Sequence, residues 1–426
     1  MILLLLILTL LSLSRGRPNS SIVNHSTQLL RRLGVKRVPF QFDPYKEGLY
    51  YTNLDQNLRQ VILNARNWTQ ISTLSNIDFI RAHNVELGRM QQTIPASSRF
   101  PCNLSQTRSP DVASHISRLR PGDIDIVAAF GDSTIAGTGI MALGFWDLMV
   151  EYRGFAYTGD GIESWRTVLT LPNILKLYNP NLYGYAVAHS LSADVKRSRL
   201  NVAEPMLYLL DLPFQVHVLI DRLHKDPKVN IHVGPNDICS ELCYWHDLEA
   251  FLRLEERQLY ASFRLLRDNV PRLLINFIIQ PDIDDVMNVF SEMPDDCTTK
   301  ASFFCNCHGK YKQEKYYNVA KRFFDMQKSI ASLPELQRDD FAIVTHEIFK
   351  NVSNLWSRNG ALDKRFMAND CIHYSQLAHA VLAKLLWNNM LNQTDFTLSE
   401  ARRRPFEYFL CPNADRQFLR TTGDRF

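Results

Sequence analysis

The chain has 426 residues and a formal net charge of +4, with 22% charged and 46% hydrophobic residues. This near balance excludes the strongly basic footprint of a nucleic-acid binder, and the cluster Arg402-Arg403-Arg404 reads as solvated surface. No internal repeat and no long low-complexity segment interrupts it.

The first element is the apolar run Met1 to Leu13, which ends at the polar Ser14-Arg15-Gly16-Arg17. A membrane-spanning helix needs about 20 apolar residues, so this run reads as a signal peptide over 1–16, cleaved near Gly16. No later stretch is long or apolar enough to span a bilayer, and the end Arg420 to Phe426 lacks the hydrophobic tail of a glycolipid-anchor signal. The expectation is an exported, extracellular protein without a transmembrane segment.

Residues 17–95 carry helical spacing, as in Leu54, Leu58, Val61, Ile62 and Ala65, and read as an amino-terminal helical extension. The breaker-rich stretch Pro95 to Cys102 marks a boundary. One domain then runs over 96–412, followed by a polar tail over 413–426. Inside it, strand-like runs lie at Ile124 to Phe130, Leu200 to Ala203, Val229 to Val233, Leu273 to Ile279 and Phe341 to Thr345. Helical patterns lie between or after them at Leu212 to Lys225, Leu248 to Asp268, Tyr316 to Leu333 and Ser375 to Leu391. Strands separated by helices imply crossover connections and a parallel α/β sheet covered on both faces. Ligands of such sheets bind beyond the carboxyl ends of the strands.

Asn-x-Ser/Thr acceptors for glycosylation begin at Asn19, Asn24, Asn67, Asn103, Asn351 and Asn392. Eight cysteines in an exported chain favour disulfides, although sequence alone does not select their pairing. Two groupings, Cys239-Cys243-His246 and Cys305-Cys307-His308, admit a metal reading, but neither has the paired spacing of a zinc module, and disulfides are the better reading.

Three stretches carry chemistry. In Gly131-Asp132-Ser133, an apolar strand breaks at glycine into a turn and a helix start, which lifts a serine hydroxyl to the sheet's carboxyl edge. The plain alternative is a hydroxyl that caps the next helix. Asp370-Cys371-Ile372-His373 places a carboxylate three residues before an imidazole on the loop entering a helix, the pairing that activates a serine. The alternative is a helix start in which Asp370 or Ser375 caps backbone amides and His373 faces solvent. Gly234-Pro235-Asn236-Asp237 places an amide donor after the third strand, where an oxyanion forms in acyl transfer, and is otherwise good turn chemistry.

In this order, these blocks resemble the GDSL (SGNH) hydrolases, and more closely their phospholipase B branch. Leu119 to Asp123, Tyr152-Arg153-Gly154, Thr170 to Leu175, Asp211-Leu212-Pro213 and the closing helix with His379 extend the resemblance over roughly 95–412. It implies a three-layer, flavodoxin-like parallel sheet flanked by helices. The implied activity is a serine esterase cleaving acyl esters of phospholipids and lysophospholipids at a membrane or micelle surface, without metal or other cofactor. By position it makes Ser133 the nucleophile, His373 the base, Asp370 its partner, and the Ser133 and Met206 amides with Asn236 the oxyanion donors.

The chain departs from the family pattern where Met206 replaces a glycine and Pro235 replaces another, and between Asp226 and Gly234, which is shorter. A Cβ at 206 disfavours positive φ, and proline at 235 removes a backbone donor. These departures frame the alternative reading, a catalytically impaired relative that binds lipid.

Overall fold

The computed structural model describes residues 56–421 apart from 106, 145, 224–229, 351–356, 359–360, 393–408 and 415. The expected signal peptide, Asn19, Asn24, Asn351, Arg402 to Arg404 and residues 226–229 of the shortened stretch before Gly234 lie outside them. Of the other glycosylation acceptors, Asn67 and Asn103 are exposed and Asn392 is half-buried.

Two helices open the described chain, α1 (Gln56–Leu74) and α2 (Ile77–Glu86). Four parallel strands follow in the order β1 (Ala129–Gly131), β2 (Asn230–His232), β3 (Leu273–Ile278) and β4 (Phe341–His346), each hydrogen-bonded to the next. Parallel neighbours need long crossovers, which the helices supply. Short α3 (Ser133–Ala136), then α4 (Leu171–Tyr178) and α5 (Leu212–Leu223) lie between β1 and β2. Helix α6 (Leu248–Asn269) joins β2 to β3, and α7 (Ile283–Ser291), α8 (Asp295–Phe304) and α9 (Glu314–Ala331) join β3 to β4. Helix α10 (Gln376–Leu391) closes the domain.

Alternation along the strands builds two cores. Ala128, Phe130, Ile275, Phe277 and Ile343 point to one face, covered by α5, α6 and α9. Val127, Ala129, Leu274, Ile278 and Val344 point to the other, covered by α4 and α10. The near-continuous apolar runs in the sequence are the signature of strands buried on both faces. The first run is regular strand only over Ala129–Gly131, with a single bridge from Ile126 to Tyr183. The weak run near Leu200 flanks β1 on its free side, where Ala129 N–H donates to Leu200 O at 3.1 Å and Val202 N–H to Ala129 O at 2.8 Å.

Four disulfides pair all eight cysteines: Cys102–Cys411, Cys239–Cys305, Cys243–Cys307 and Cys297–Cys371. The two Cys-His groupings are thus crosslinked to each other. Part of the expected polar tail packs, since Leu419 and Thr421 are buried and Leu419 N–H donates to Leu119 O at 2.7 Å. Among the described residues no helix is long and apolar enough to cross a membrane.

Candidate active site

Strand β1 ends at Gly131, whose φ is +141°; a Cβ there would lie 1.7 Å from the His232 carbonyl oxygen, so only glycine permits this approach to β2. Asp132 then caps α3, its carboxylate accepting from Thr134 N–H at 2.9 Å. The cap is therefore Asp132, and Ser133 occupies the first helical position with its side chain at the carboxyl edge of the sheet.

The second block folds tightly on itself. Asp370 Oδ1 accepts from the Ile372 and His373 amides at 3.1 and 3.0 Å, and Oδ2 meets His373 Nδ1 at 2.5 Å. Ser375, a few residues on, caps α10 by accepting from Ala378 N–H at 3.3 Å. Asp370 thus both caps the turn and holds the His373 ring, a side chain only 13% exposed, so the capping half of the plain reading stands and a solvent-facing His373 does not. With Nδ1 engaged by the carboxylate, Nε2 is the nitrogen left to exchange a proton. The Phe304 ring packs roughly perpendicular to the imidazole, with centroids 5.6 Å apart.

Electrostatics separate this pair. Burial alone raises the Asp370 pKa, but the His373 charge and the hydrogen bonds outweigh it and hold the carboxyl below its ordinary value. Burial alone lowers that of His373, and the Asp370 charge and hydrogen bond outweigh it, so the imidazole titrates above its ordinary value. Asp132 adds to that upward shift, which brings His373 within the field of the residue preceding Ser133.

The remaining blocks meet at the same edge. Glu204 N–H donates to Gly131 O at 3.0 Å, carrying the chain from the segment beside β1 into the turn at Met206. Met206 has a φ of +59° and an exposed side chain. The turn thus keeps the backbone form that a glycine adopts freely, and the methionine side chain is accommodated toward solvent. Pro235 and Asn236 open a helical turn that continues through Asp237–Glu241. Proline suits a first helical position, where an amide lacks an intrahelical partner anyway. Asn236 Nδ2 donates to Leu207 O at 2.8 Å, which ties the two loops together.

Sequence reasoning missed the buried cluster behind this turn. Arg66 of α1 donates to Glu204 Oε2 from both terminal nitrogens at 3.0 Å and also to Glu151, which is shared with Arg153. The signal was a polar pair, Arg66 and Gln70, one turn apart on the buried face of α1.

With this geometry in view, the comparisons with known proteins are decisive at the level of family. Residues 127–386 match the model of the GDSL-like lipase/acylhydrolase family. The chain belongs to that family. The matched span contains Ser133, Met206, Asn236, Asp370 and His373. The chain is 32% identical over 333 residues to mouse phospholipase B1, membrane-associated, which covers 74% of this chain and 22% of that protein. It is 31% identical over 363 residues to the human protein of that name, covering 80% of this chain and 24% of the relative. The chain therefore spans about a quarter of the length of these relatives. The α/β architecture with its parallel sheet is the one expected for the family.

Proposed function

We propose that the chain is a serine esterase that hydrolyses acyl ester bonds of phospholipids and lysophospholipids through an acyl-enzyme. The observation that carries this reading is the Asp370–His373 pair, joined at 2.5 Å with Asp370 buried, and lying within the electrostatic reach of Asp132, the residue before Ser133. Family membership and the named phospholipase relatives support the lipid ester substrate. In this mechanism Ser133 Oγ attacks the ester carbonyl carbon while His373 Nε2 takes its proton. Asp370 holds the tautomer and offsets the charge of the imidazolium. The tetrahedral oxyanion accepts from the backbone amides of Ser133 and Met206 and from the second N–H of Asn236. Collapse breaks the bond to the glycerol oxygen, which leaves as an alcohol with the proton from His373. Water, deprotonated by His373, then attacks the acyl-enzyme and releases the fatty acid and the free serine.

The impaired-relative reading is the less favoured one, because Met206 retains the positive φ and Pro235 opens a helical turn; residues 226–229 of the shortened stretch lie outside the described residues. Export from the cell, and contact with a membrane or micelle surface to collect substrate, complete the proposal; four disulfides support an oxidising compartment. The test is labelling of the purified protein by a fluorophosphonate, followed by turnover of a short-chain ester and a lysophospholipid. Ser133→Ala is expected to abolish labelling and hydrolysis while leaving the protein folded. Hydrolysis persisting in that variant would overturn the proposal.

A further inference from the structure

Helix α1 lies outside the matched family span, yet it delivers a charge to the edge of the candidate site. We propose that Arg66 is a positioning residue for the turn that carries the Met206 amide, acting through Glu204; this rests on the reading of that amide as an oxyanion donor.

Glu204 is the start of that turn, and both its backbone and its side chain are held. Its N–H donates to Gly131 O, two residues before Ser133, so the turn is indexed to the end of β1. Its carboxylate is gripped by Arg66 through Oε2, at 3.0 Å from each terminal nitrogen, and by the Ser192 hydroxyl through Oε1. With Oε2 taken by both terminal nitrogens of the planar guanidinium and Oε1 by Ser192, each carboxylate oxygen has its own partner and the group is held at two points. Met206, two residues on, sits in the left-handed region at φ +59° without being a glycine. Such a conformation persists only where its surroundings over-determine it. Glu204 supplies the hold on one side and the Asn236 contact to Leu207 O the hold on the other.

The cluster also pairs opposite charges. Arg66 and Arg153 face Glu151 and Glu204, and Arg153 extends the network to Ala203 O at 2.9 Å and Asn201 Oδ1 at 2.6 Å. Asn201 in turn donates to the buried Asp160 at 3.0 Å. Burial alone raises the Glu204 pKa, and the Arg66 charge leads the effects that bring it below its ordinary value, so the carboxylate stays ionised to meet the guanidinium. Arg153 fixes residues 201 and 203 from within the domain, whereas the guanidinium on Glu204 Oε2 comes from α1. The amino-terminal helix is thereby part of the site's support.

The experiment compares Arg66→Lys, Glu204→Gln and the double variant on a soluble short-chain ester. Lysine keeps the charge and loses the two-nitrogen grip. The expected result is a 10- to 100-fold fall in kcat for R66K with KM changed less than about threefold, since complete loss of one oxyanion donor costs about 100- to 1,000-fold. The acid limb of the pH profile, set at His373, is expected to stay in place. In the E204Q background, R66K is expected to cost less than about threefold more, because both changes break one link. A merely structural Arg66 would lower the melting temperature and leave kcat at 25 °C unchanged, and that outcome overturns the proposal. Additive losses in the double variant overturn it as well. Should R66K not be recovered folded, E204Q decides alone: a matching fall in kcat supports the proposal and an unchanged kcat overturns it. Ser133→Ala run alongside separates this failure from failure of the esterase reading, which alone predicts an inactive Ser133 variant.

Discussion

At His373 two influences oppose each other: burial disfavours the imidazolium, and the Asp370 carboxylate at 2.5 Å favours it and prevails. A base must be neutral to accept a proton, so the acid limb of kcat/KM is expected above the ordinary histidine value of about 6.5. Asp370→Asn removes the favourable charge but not the burial. The limb is then expected to move to lower pH, with kcat down by about 10³- to 10⁴-fold as the ring loses its tautomer. A pH profile on a soluble ester checks both, and an unmoved limb would dismiss Asp370 as the partner. Met206 makes a second residue-scale case. A side chain in the left-handed region costs about 1–2 kcal/mol, and glycine returns part of this as added freedom of the unfolded chain. Met206→Gly is expected to gain up to about 1 kcal/mol by urea unfolding and to keep kcat within about threefold. A tenfold loss of kcat would mean that the methionine side chain itself serves the reaction.

Helix α10 shows what an element's neighbours decide. Its spacing suggests one apolar face, yet it is buried along nearly its whole circumference, including Lys384, Asn388 and Asn389. The second cover comes from distant chain. Trp387 Nε1–H donates to Leu410 O at 2.8 Å, Leu410 N–H to Asn388 Oδ1 at 2.9 Å, and Arg420 N–H to Met390 O at 2.7 Å. The Trp387 ring stacks between Tyr178 and Phe409, with centroids 5.2 and 5.8 Å away. Trp387→Ala is expected to cost about 3–5 kcal/mol in urea unfolding, for lost packing and an orphaned carbonyl. A cost below about 1 kcal/mol would mean that the 409–421 segment does not cover the helix in solution. Helix α1 makes the opposite point. Its Arg66 and Gln70 face inward while Trp68 and Ile71 stand exposed, so over this part of the helix side-chain polarity does not mark the buried side.

On the scale of the molecule, the disulfides divide into a clasp and a brace. Cys102–Cys411 joins residues 309 apart in sequence, and Cys297–Cys371 anchors the Asp370–His373 loop to α8. Replacing either pair by serine is expected to cost about 2–4 kcal/mol of stability. Only the second is expected also to lower kcat at 25 °C, about tenfold or more, because it frees the loop that aims His373. Thermal melts with parallel kinetics check this, and equal kcat values in the two variants would contradict it. Much of this organisation was legible in the chain itself. The strands β2 to β4, helices α5, α6, α9 and α10, and the blocks at Ser133, Asn236 and His373 follow from local periodicity and turn chemistry, which act over a few residues. The regular part of the first strand, the pairing of eight cysteines and the Asp132 cap needed the fold. So did the cluster of Arg66, Glu151, Arg153 and Glu204, which joins residues as far as 138 positions apart. Such contacts leave no periodic trace, because they are selected by which buried charges the folded chain brings together and must neutralise. Sequence alone determined the chemistry on offer at the sheet edge, and only the tertiary structure decided what holds it in place.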